Sequence, residues 1–129
     1  MSADQSVLFV EDEDLIRELN AEELAEAGFG VVAVESGDDA LEAMDNDADP
    51  FCALVTDVNL GEGADGWDVG KRARELDDEI PVIYMSGASA REWQTKGVPN
   101  SVMLESHSPH PSWSPQSEGC SRIWDGAAD

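Results

Sequence analysis

Short apolar runs alternate with segments of helical periodicity along most of this sequence. Between the runs, apolar residues recur at helical spacing, as in Leu15, Ile16 and Leu19. Strands that alternate with helices form right-handed βαβ units, in which helices cover both faces of a parallel sheet. The alternation therefore predicts an α/β fold built on a doubly wound, five-stranded parallel sheet. The five predicted strands are 6–10, 31–34, 51–55, 80–85 and 101–104.

The bulk composition limits the partners of such a fold. The chain has 129 residues, enough for one domain, and a formal net charge of −22 at pH 7. Such a surface repels phosphate backbones and anionic headgroups, so we expect neither nucleic acid nor membranes as partners. No stretch approaches the ~20 apolar residues of a membrane span, and the N-terminus lacks the basic region of a signal peptide. We expect a soluble, cytoplasmic protein in which Cys52 and Cys120 make no disulfide framework.

Polar side chains follow the ends of three predicted strands. Glu11 and Asp12 follow the first strand. Asp57 follows the third strand, and Ser86 follows the fourth. Because chemistry in such sheets sits at the carboxyl ends of the strands, we expect these residues to converge on one edge. Taken separately they have ordinary explanations, since acidic residues often open helices and Asp57 or Ser86 could each belong to a turn. Their combination at three strand ends favours a functional site.

Three carboxylates at one edge constrain the chemistry of that site. Two unit charges ~4 Å apart repel by about 4 kcal/mol at an effective dielectric near 20, so a cluster of Glu11, Asp12 and Asp57 is costly unless a cation neutralises it. Oxygen ligands without a nearby His or Cys select Mg²⁺, or Mn²⁺, over zinc. An aspartate beside such an ion is a reasonable nucleophile toward a phosphoryl group. The edge therefore predicts phosphoryl transfer to Asp57, with Ser86 as a hydrogen-bond donor to a phosphoryl oxygen.

These motifs resemble those of the receiver domains of two-component signalling over about residues 6–105. Four segments carry the resemblance: the acidic pair in 10–13, the phosphoacceptor segment 55–60, the loop-to-helix signature 65–67 and the switch-hydroxyl strand 81–88. By this resemblance the strands take the order 2-1-3-4-5, with two helices on one face of the sheet and three on the other. The resemblance assigns residues 1–105 to one receiver domain.

The resemblance also implies a function controlled by phosphorylation. It implies that Mg²⁺ is held by Glu11, Asp12, Asp57 and the backbone carbonyl of Asn59. A sensor histidine kinase or a histidine phosphotransfer protein then phosphorylates Asp57, and Ser86 turns toward the phosphoryl group. The phosphorylated form controls binding to a downstream protein. We expect no enzymatic activity beyond catalysis of the domain's own phosphorylation and dephosphorylation.

The C-terminal part of the chain departs from the family pattern. Met103 stands where the family usually has an aromatic switch residue. Ser106 and His107 replace a Lys-Pro dipeptide whose lysine contacts the phosphoryl group. Residues 106–129 read as a Ser/Pro-rich tail in place of the final helix. One explanation is a diverged tail. The other is a single-nucleotide deletion after Glu105, because one restored base can return a Lys-Pro-Phe sequence at this point.

Two other functions use the same residues. A metal-dependent phosphohydrolase could form an aspartyl-phosphate, but it would need an acid/base residue two positions after the nucleophile, where Asn59 stands. A receiver-like scaffold that is never phosphorylated is consistent with the absent lysine. Labelling with acetyl phosphate would separate this scaffold from a working phosphoacceptor.

Overall fold

A computed structural model shows an α/β chain and describes residues 6–46, 51–60, 63–86, 92–99 and 101–105. Five short strands correspond to the predicted apolar runs: β1 Ser6–Val10, β2 Gly30–Val34, β3 Ala53–Asp57, β4 Val82–Ser86 and β5 Val102–Glu105. Four helices are present in this part of the chain: α1 Asp14–Glu26, α2 Gly37–Asn46, α3 Gly66–Leu76 and α4 Trp93–Lys96. None of these helices is long and apolar enough to cross a membrane.

The strands form one parallel sheet in the order β2-β1-β3-β4-β5. This arrangement confirms the predicted fold class and the expected order 2-1-3-4-5. The chain runs from β1 outward to β2 and then returns past β1 to β3, so the order reverses between β1 and β3. At such a switch point the loops after the two strands diverge and leave a crevice at the carboxyl edge of the sheet.

The alternation of side chains along β1 divides the apolar core between the two faces of the sheet. Val7 and Phe9 pack in one cluster with Leu24 of α1. Leu8 and Val10 pack in a second cluster with side chains of α2, α3 and α4, namely Ala40, Trp67, Val69, Ala73 and Trp93. Burial of each large apolar side chain contributes about 1.5–3 kcal/mol before the entropy cost of folding is counted. Of the described helices, one therefore covers the first face and three cover the second.

Local contacts determine where the helices begin and end. The Asp39 N–H donates to Ser36 Oγ at 3.0 Å, so the Ser36 side chain caps the start of α2. Asp65 and Asp68 form a reciprocal capping box at the start of α3, in which each carboxylate accepts a hydrogen bond from the other residue's backbone N–H. Gly28 adopts a φ of 103° just beyond α1, a left-handed conformation that ends the helix without a side-chain clash.

Several details differ from the sequence prediction. The third strand was predicted to start at Phe51, but it starts at Ala53, because the ladder with β1 begins with the pairing of Val7 and Ala53. Cys52 is disulfide-bonded, so one bridge exists where the sequence predicted no disulfide framework. The predicted tail, 106–129, lies outside the described residues, so the division of the chain at Glu105 stays a prediction.

Candidate metal centre

The carboxyl ends of β1 and β3 bring three carboxylates together. The two strands pair with Val10 opposite Thr56, so Glu11 and Asp57, the next residues, lie side by side. Asp12 follows in the loop to α1. One carboxylate oxygen from each of Glu11, Asp12 and Asp57 lies within 4.8 Å of the other two. The structure thus places together the three carboxylates that the sequence predicted at this edge.

Glu11 is the most deeply buried of these three carboxylate residues. Its surface is only 4% exposed, whereas Asp57 is half-buried and Asp12 is exposed. Burial, followed by repulsion from Asp57, raises the pKa of Glu11 to about 7, although a hydrogen bond from Glu13 opposes the shift. That bond runs from the Glu13 N–H to Glu11 Oε2 at 3.1 Å. Ionising Glu11 is therefore costly when no cation is bound.

Asp57 combines partial burial with backbone support. Burial raises its pKa to about 6, and repulsion from Asp12 adds to the shift. The backbone groups of Val58 and Asn59 favour the ionised carboxylate and lower the pKa of Asp57, so they oppose the shift. With a pKa of about 6, the Asp57 carboxyl favours its ionised form at neutral pH. It is also open enough to receive an incoming group.

The backbone of Asp57 packs against the start of α3. Thr56 is fully buried, and its hydroxyl donates to the Asp57 carbonyl at 2.8 Å. The Gly66 N–H donates to the Val58 carbonyl at 2.9 Å. A Cβ at Gly66 would lie 2.3 Å from the Asp57 carbonyl oxygen, so this approach requires glycine. The loop-to-helix signature around Gly66 therefore seats α3 directly against the backbone of Asp57.

The structure describes the two remaining predicted site residues less fully. Asn59 is exposed, and its backbone lowers the pKa of Asp57. Ser86 ends β4 and pairs with Glu105, one position beyond the pairing of Asp57 with Met85. The Ser86 backbone therefore lies at the same edge of the sheet, while its side chain lies outside what the structure describes. The switch role of Ser86 and the carbonyl ligand at Asn59 stay predictions.

The region of β4 and β5 contains an aromatic residue whose specific contacts the sequence pattern did not indicate. Met103, at the expected aromatic position on β5, is half-buried against the core and pairs with Tyr84 on β4. Tyr84 is fully buried, with its ring centroid 4.8 Å from that of Trp67. Its hydroxyl accepts a hydrogen bond from the Val98 N–H at 3.1 Å. Within a run as apolar as 80–85, a tyrosine gives no signal that its hydroxyl has a specific partner.

Arg17 is a second residue that the sequence pattern concealed. Its Nη1 donates to the backbone carbonyl of Glu11 at 2.9 Å. An arginine in an acidic helix usually belongs to the solvated face, and helical spacing gives no reason to place this one at the site. The sequence feature that could have drawn attention to Arg17 is its isolation among acidic residues, since it is the only Lys or Arg between residues 11 and 26.

The donor set fits a hard divalent cation. All three groups offer carboxylate oxygens within a few ångströms of one another, and this group of described residues includes no His or Cys. Mg²⁺ prefers such oxygen ligands, whereas zinc prefers nitrogen and sulfur. The raised pKa values reflect burial, together with repulsion from Asp57 at Glu11 and from Asp12 at Asp57, and a bound cation would offset these effects.

The doubly wound sheet carries three grouped carboxylates, Glu11, Asp12 and Asp57, at its switch point. The response regulator receiver domain family matches residues 7–101, and the chain belongs to this family. The chain is 30% identical to the response regulator receiver protein CpdR of Brucella abortus over 84 residues, which are 65% of this chain and 68% of that protein. Its class is therefore the receiver domain of two-component systems.

Two solved structures show the same fold. The crystal structure of a response regulator receiver protein from Sinorhizobium medicae matches with a TM-score of 0.79 and 36% identity, over 83% of this chain and 86% of that chain. The receiver domain of the sensor histidine kinase PA1611 from Pseudomonas aeruginosa was crystallised with a magnesium ion coordinated in its active site cleft. It matches with a TM-score of 0.66 and 20% identity, over 79% of this chain and 85% of that chain.

Proposed function

We propose that this receiver domain is a phosphoacceptor in which Asp57 takes a phosphoryl group from a phosphohistidine. The observation that carries the proposal is the half-exposed Asp57 carboxylate, grouped within 4.8 Å with those of Glu11 and Asp12. The donor would be a sensor histidine kinase or a histidine phosphotransfer protein. This partner class is supported by the PA1611 domain, which is the receiver of a sensor histidine kinase.

Mg²⁺, or Mn²⁺, would be held by Glu11, Asp12, Asp57 and the backbone carbonyl of Asn59. When bound, the ion supplies positive charge that offsets the negative charge of the phosphoryl oxygens. The exposure of Asp12 leaves one side of the site open to the water ligands that Mg²⁺ retains. The magnesium ion in the cleft of the PA1611 domain supports the same cofactor here.

The reaction at Asp57 is a nucleophilic displacement. A carboxylate oxygen of Asp57 attacks the phosphorus of the phosphohistidine, and the P–N bond breaks with its electron pair retained by the imidazole nitrogen. The backbone groups of Val58 and Asn59 favour the ionised form of the Asp57 carboxyl, which is the form that attacks. Ser86, at the end of the adjacent strand β4, would donate a hydrogen bond from its hydroxyl to a phosphoryl oxygen.

Phosphorylation would then shift a conformational equilibrium, because the phosphoryl group binds one arrangement of the site better than the other. We expect this response to be weak here. No lysine follows Glu105 in the sequence, so the lysine ammonium group that usually contacts the phosphoryl group is missing. The domain would catalyse its own phosphorylation and dephosphorylation, and it would control binding to a protein partner. It would not be an enzyme with separate substrates. Its cytoplasmic location stays a prediction.

Incubation with acetyl phosphate and Mg²⁺ tests the acceptor directly. Intact mass spectrometry should show one added phosphoryl group that is lost in base, as expected for an acyl phosphate. Asp57→Asn should abolish uptake. Asp78→Asn is the matched control, since Asp78 is an exposed aspartate before β4. No uptake by the wild-type chain would favour the unphosphorylated scaffold. Full uptake by Asp57→Asn would show that the acceptor is another residue.

The phosphohydrolase alternative has a different signature. An exposed amide at Asn59 supplies no general acid or base to a hydrolytic step. We therefore expect the aspartyl-phosphate to persist after excess acetyl phosphate is removed, with slow release of inorganic phosphate. Rapid, repeated hydrolysis of a phosphate ester by this chain would instead favour the hydrolase.

A further inference from the structure

The loop between β1 and α1 carries two of the three carboxylates, yet no side chain caps the helix that follows. Glu13 occupies the N-cap position of α1 and makes no side-chain cap hydrogen bond. At the start of α3, by contrast, Asp65 takes part in a capping box. Within the loop the Glu13 N–H donates to Glu11 Oε2 at 3.1 Å, and a second contact, from α1, also restrains the segment that carries Glu11 and Asp12.

Arg17 reaches back from the first turns of α1 to this loop. Its Nη1 donates to the Glu11 carbonyl at 2.9 Å, and its Nη2 pairs with the Asp14 carboxylate. The Arg17 side chain is only 18% exposed. A planar guanidinium with two of its donors engaged has little freedom to move, so the Glu11 carbonyl is held against the body of the helix.

The Glu11 carbonyl belongs to the peptide group that joins Glu11 to Asp12. Because a peptide group is planar, restraint of its oxygen also restrains the Asp12 N–H and the direction in which the chain continues. The other side of Glu11 is held too, since its N–H donates to the Val34 carbonyl of β2 at 3.1 Å. Asp12 is exposed, so the position of its carboxylate depends on this backbone.

We propose that Arg17 is a positioning residue for the metal centre, holding the Glu11–Asp12 peptide so that both carboxylates keep their places beside Asp57. The inference rests on the proposed magnesium site. Arg17 acts here through the backbone and not through its charge, because a positive charge beside the site would by itself weaken cation binding. Its ion pair with Asp14 adds little, since the Asp14 side chain is 78% exposed.

Two substitutions of Arg17 separate positioning from charge. Arg17→Met removes the charge and both contacts, whereas Arg17→Lys keeps the charge but lacks the two-donor fork. Positioning predicts that both variants bind Mg²⁺ about tenfold more weakly, as is typical when a support of a metal ligand is lost. A role through charge predicts the opposite, with tighter binding to Arg17→Met and unchanged binding to Arg17→Lys.

The affinities are measured by calorimetric titration of the unphosphorylated full chain with MgCl₂ at constant ionic strength. Arg72→Met is the matched control. It changes the net charge equally but breaks the ion pairs of Arg72 with Asp45 and Glu75 on α2 and α3. Because long-range charge effects are screened by salt, we expect its affinity to change by less than about twofold. Equal weakening by Arg72→Met would overturn the positioning role.

A metal-free measurement separates this inference from the proposed function. In EDTA, backbone amide exchange at residues 12–14 should be faster in Arg17→Met than in the wild type, whereas exchange in the central strands should be unchanged. Unchanged exchange at 12–14 would overturn the inference. Wild-type protein that binds Mg²⁺, with Arg17 variants that bind it equally well, would overturn the inference alone. Wild-type protein that binds no Mg²⁺ would overturn both proposals.

Discussion

The candidate site lies at the carboxyl edge of the sheet. The two halves of this edge differ in how many residues of the receiver family's sequence pattern they retain. The half at β1 and β3 has the three grouped carboxylates, Glu11, Asp12 and Asp57, and the glycine that lets α3 approach the acceptor. The half at β4 and β5 has Met103 in place of an aromatic residue, and its sequence continues into Ser106 instead of lysine. Under the proposed function, the residues that would accept a phosphoryl group differ from those that would respond to it, so the two sets can diverge separately.

The position of each half in the sheet gives a physical reason for this difference. β1 pairs with β2 and β3, and β3 pairs with β1 and β4, so the acceptor half is restrained by ladders on both sides. β5 is the last strand in the sheet order and pairs with β4. A change at the end of an edge strand disturbs fewer neighbours than a change in a central strand. The acceptor half can therefore keep its geometry while the responding half diverges.

Rebuilding the chain after β5 tests the responding half and carries the largest expected effect. The variant combines Ser106→Lys, His107→Pro and Ser108→Phe with an in-frame helical tail. A helical stripe would bury several apolar side chains at about 1.5–3 kcal/mol each, so urea denaturation should show a gain of several kcal/mol in the free energy of unfolding. The fluorescence change on phosphorylation should also grow.

The matched control for the rebuilt protein keeps Ser106 and carries the same new tail. It should gain stability without gaining the larger response, because it lacks the lysine charge beside the phosphoryl group. A rebuilt protein that is no more stable and no more responsive than this chain would show that the present tail is not a defect.

Gly66→Ala tests the acceptor half at its contact with α3. The new Cβ would lie 2.3 Å from the Asp57 carbonyl oxygen and 2.7 Å from Val58 Cα, which are backbone atoms that cannot move alone. We expect a loss of about 1–3 kcal/mol in the free energy of unfolding, with slower phosphorylation of Asp57. Gly30→Ala is the control, because its Cβ would meet Ser6 Oγ at 3.1 Å, a contact that a side chain can relieve. Equal effects of the two substitutions would contradict the role given to Gly66.

Asp12→Asn tests the metal centre without removing the acceptor. The substitution removes one anionic oxygen ligand, and a charge pair ~4 Å apart near the surface is worth up to about 4 kcal/mol. Mg²⁺ affinity should fall by at least about tenfold, the equivalent of 1.4 kcal/mol, in a titration followed by tryptophan fluorescence. Trp67, buried at the start of α3, is the expected reporter. Unchanged affinity, as expected for Asp78→Asn, would exclude Asp12 as a ligand.

The pH dependence of the metal-free protein gives the smallest expected effect. Glu11 and Asp57 have folded-state pKa values of about 7 and about 6, above their ordinary values of 4.5 and 3.8. The stability associated with their protonated forms is fully present below pH 3.8 and is lost as the pH rises through 6 and 7. In EDTA the Tm should fall by a few degrees over this range, and saturating Mg²⁺ should reduce the fall.

The double variant Glu11→Gln and Asp57→Asn controls for the general effect of a strongly acidic surface. Its Tm should depend less on pH between 5 and 8 than that of the wild type, since the two shifted carboxyl groups are gone. A double variant with the full pH dependence would assign the effect to the other acidic groups of the chain.

The periodic pattern of the sequence was sufficient to predict the α/β class and the five strands, whereas the strand order was predicted from the resemblance to receiver domains. Buried parallel strands are short apolar runs, and the five runs found here correspond to the five strands. Strand boundaries were less predictable, because pairing decides them. Phe51 and Cys52 read as strand residues from their composition, yet the ladder of β3 starts at Ala53, opposite Val7.

Site residues were predictable where their position at a strand end revealed them. Asp57 met this condition, and so did the acidic pair after β1. Arg17, Gly66 and Tyr84 did not, because each acts through a contact with a residue distant in sequence or with a backbone atom. Sequence periodicity carries no information about which carbonyl a guanidinium reaches or which strand a glycine touches.

The sequence by itself determined the class of fold and the set of carboxylates able to meet, because strand periodicity and strand-end position are local properties of the chain. The tertiary structure decided how different two adjacent acidic residues become. Glu11 is 4% exposed beside β2 and β3, whereas Asp12, the next residue, is exposed to solvent. Burial depends on which distant segments pack around a side chain. The same packing raises the pKa of Glu11 and leaves its neighbour open to solvent at the candidate metal centre.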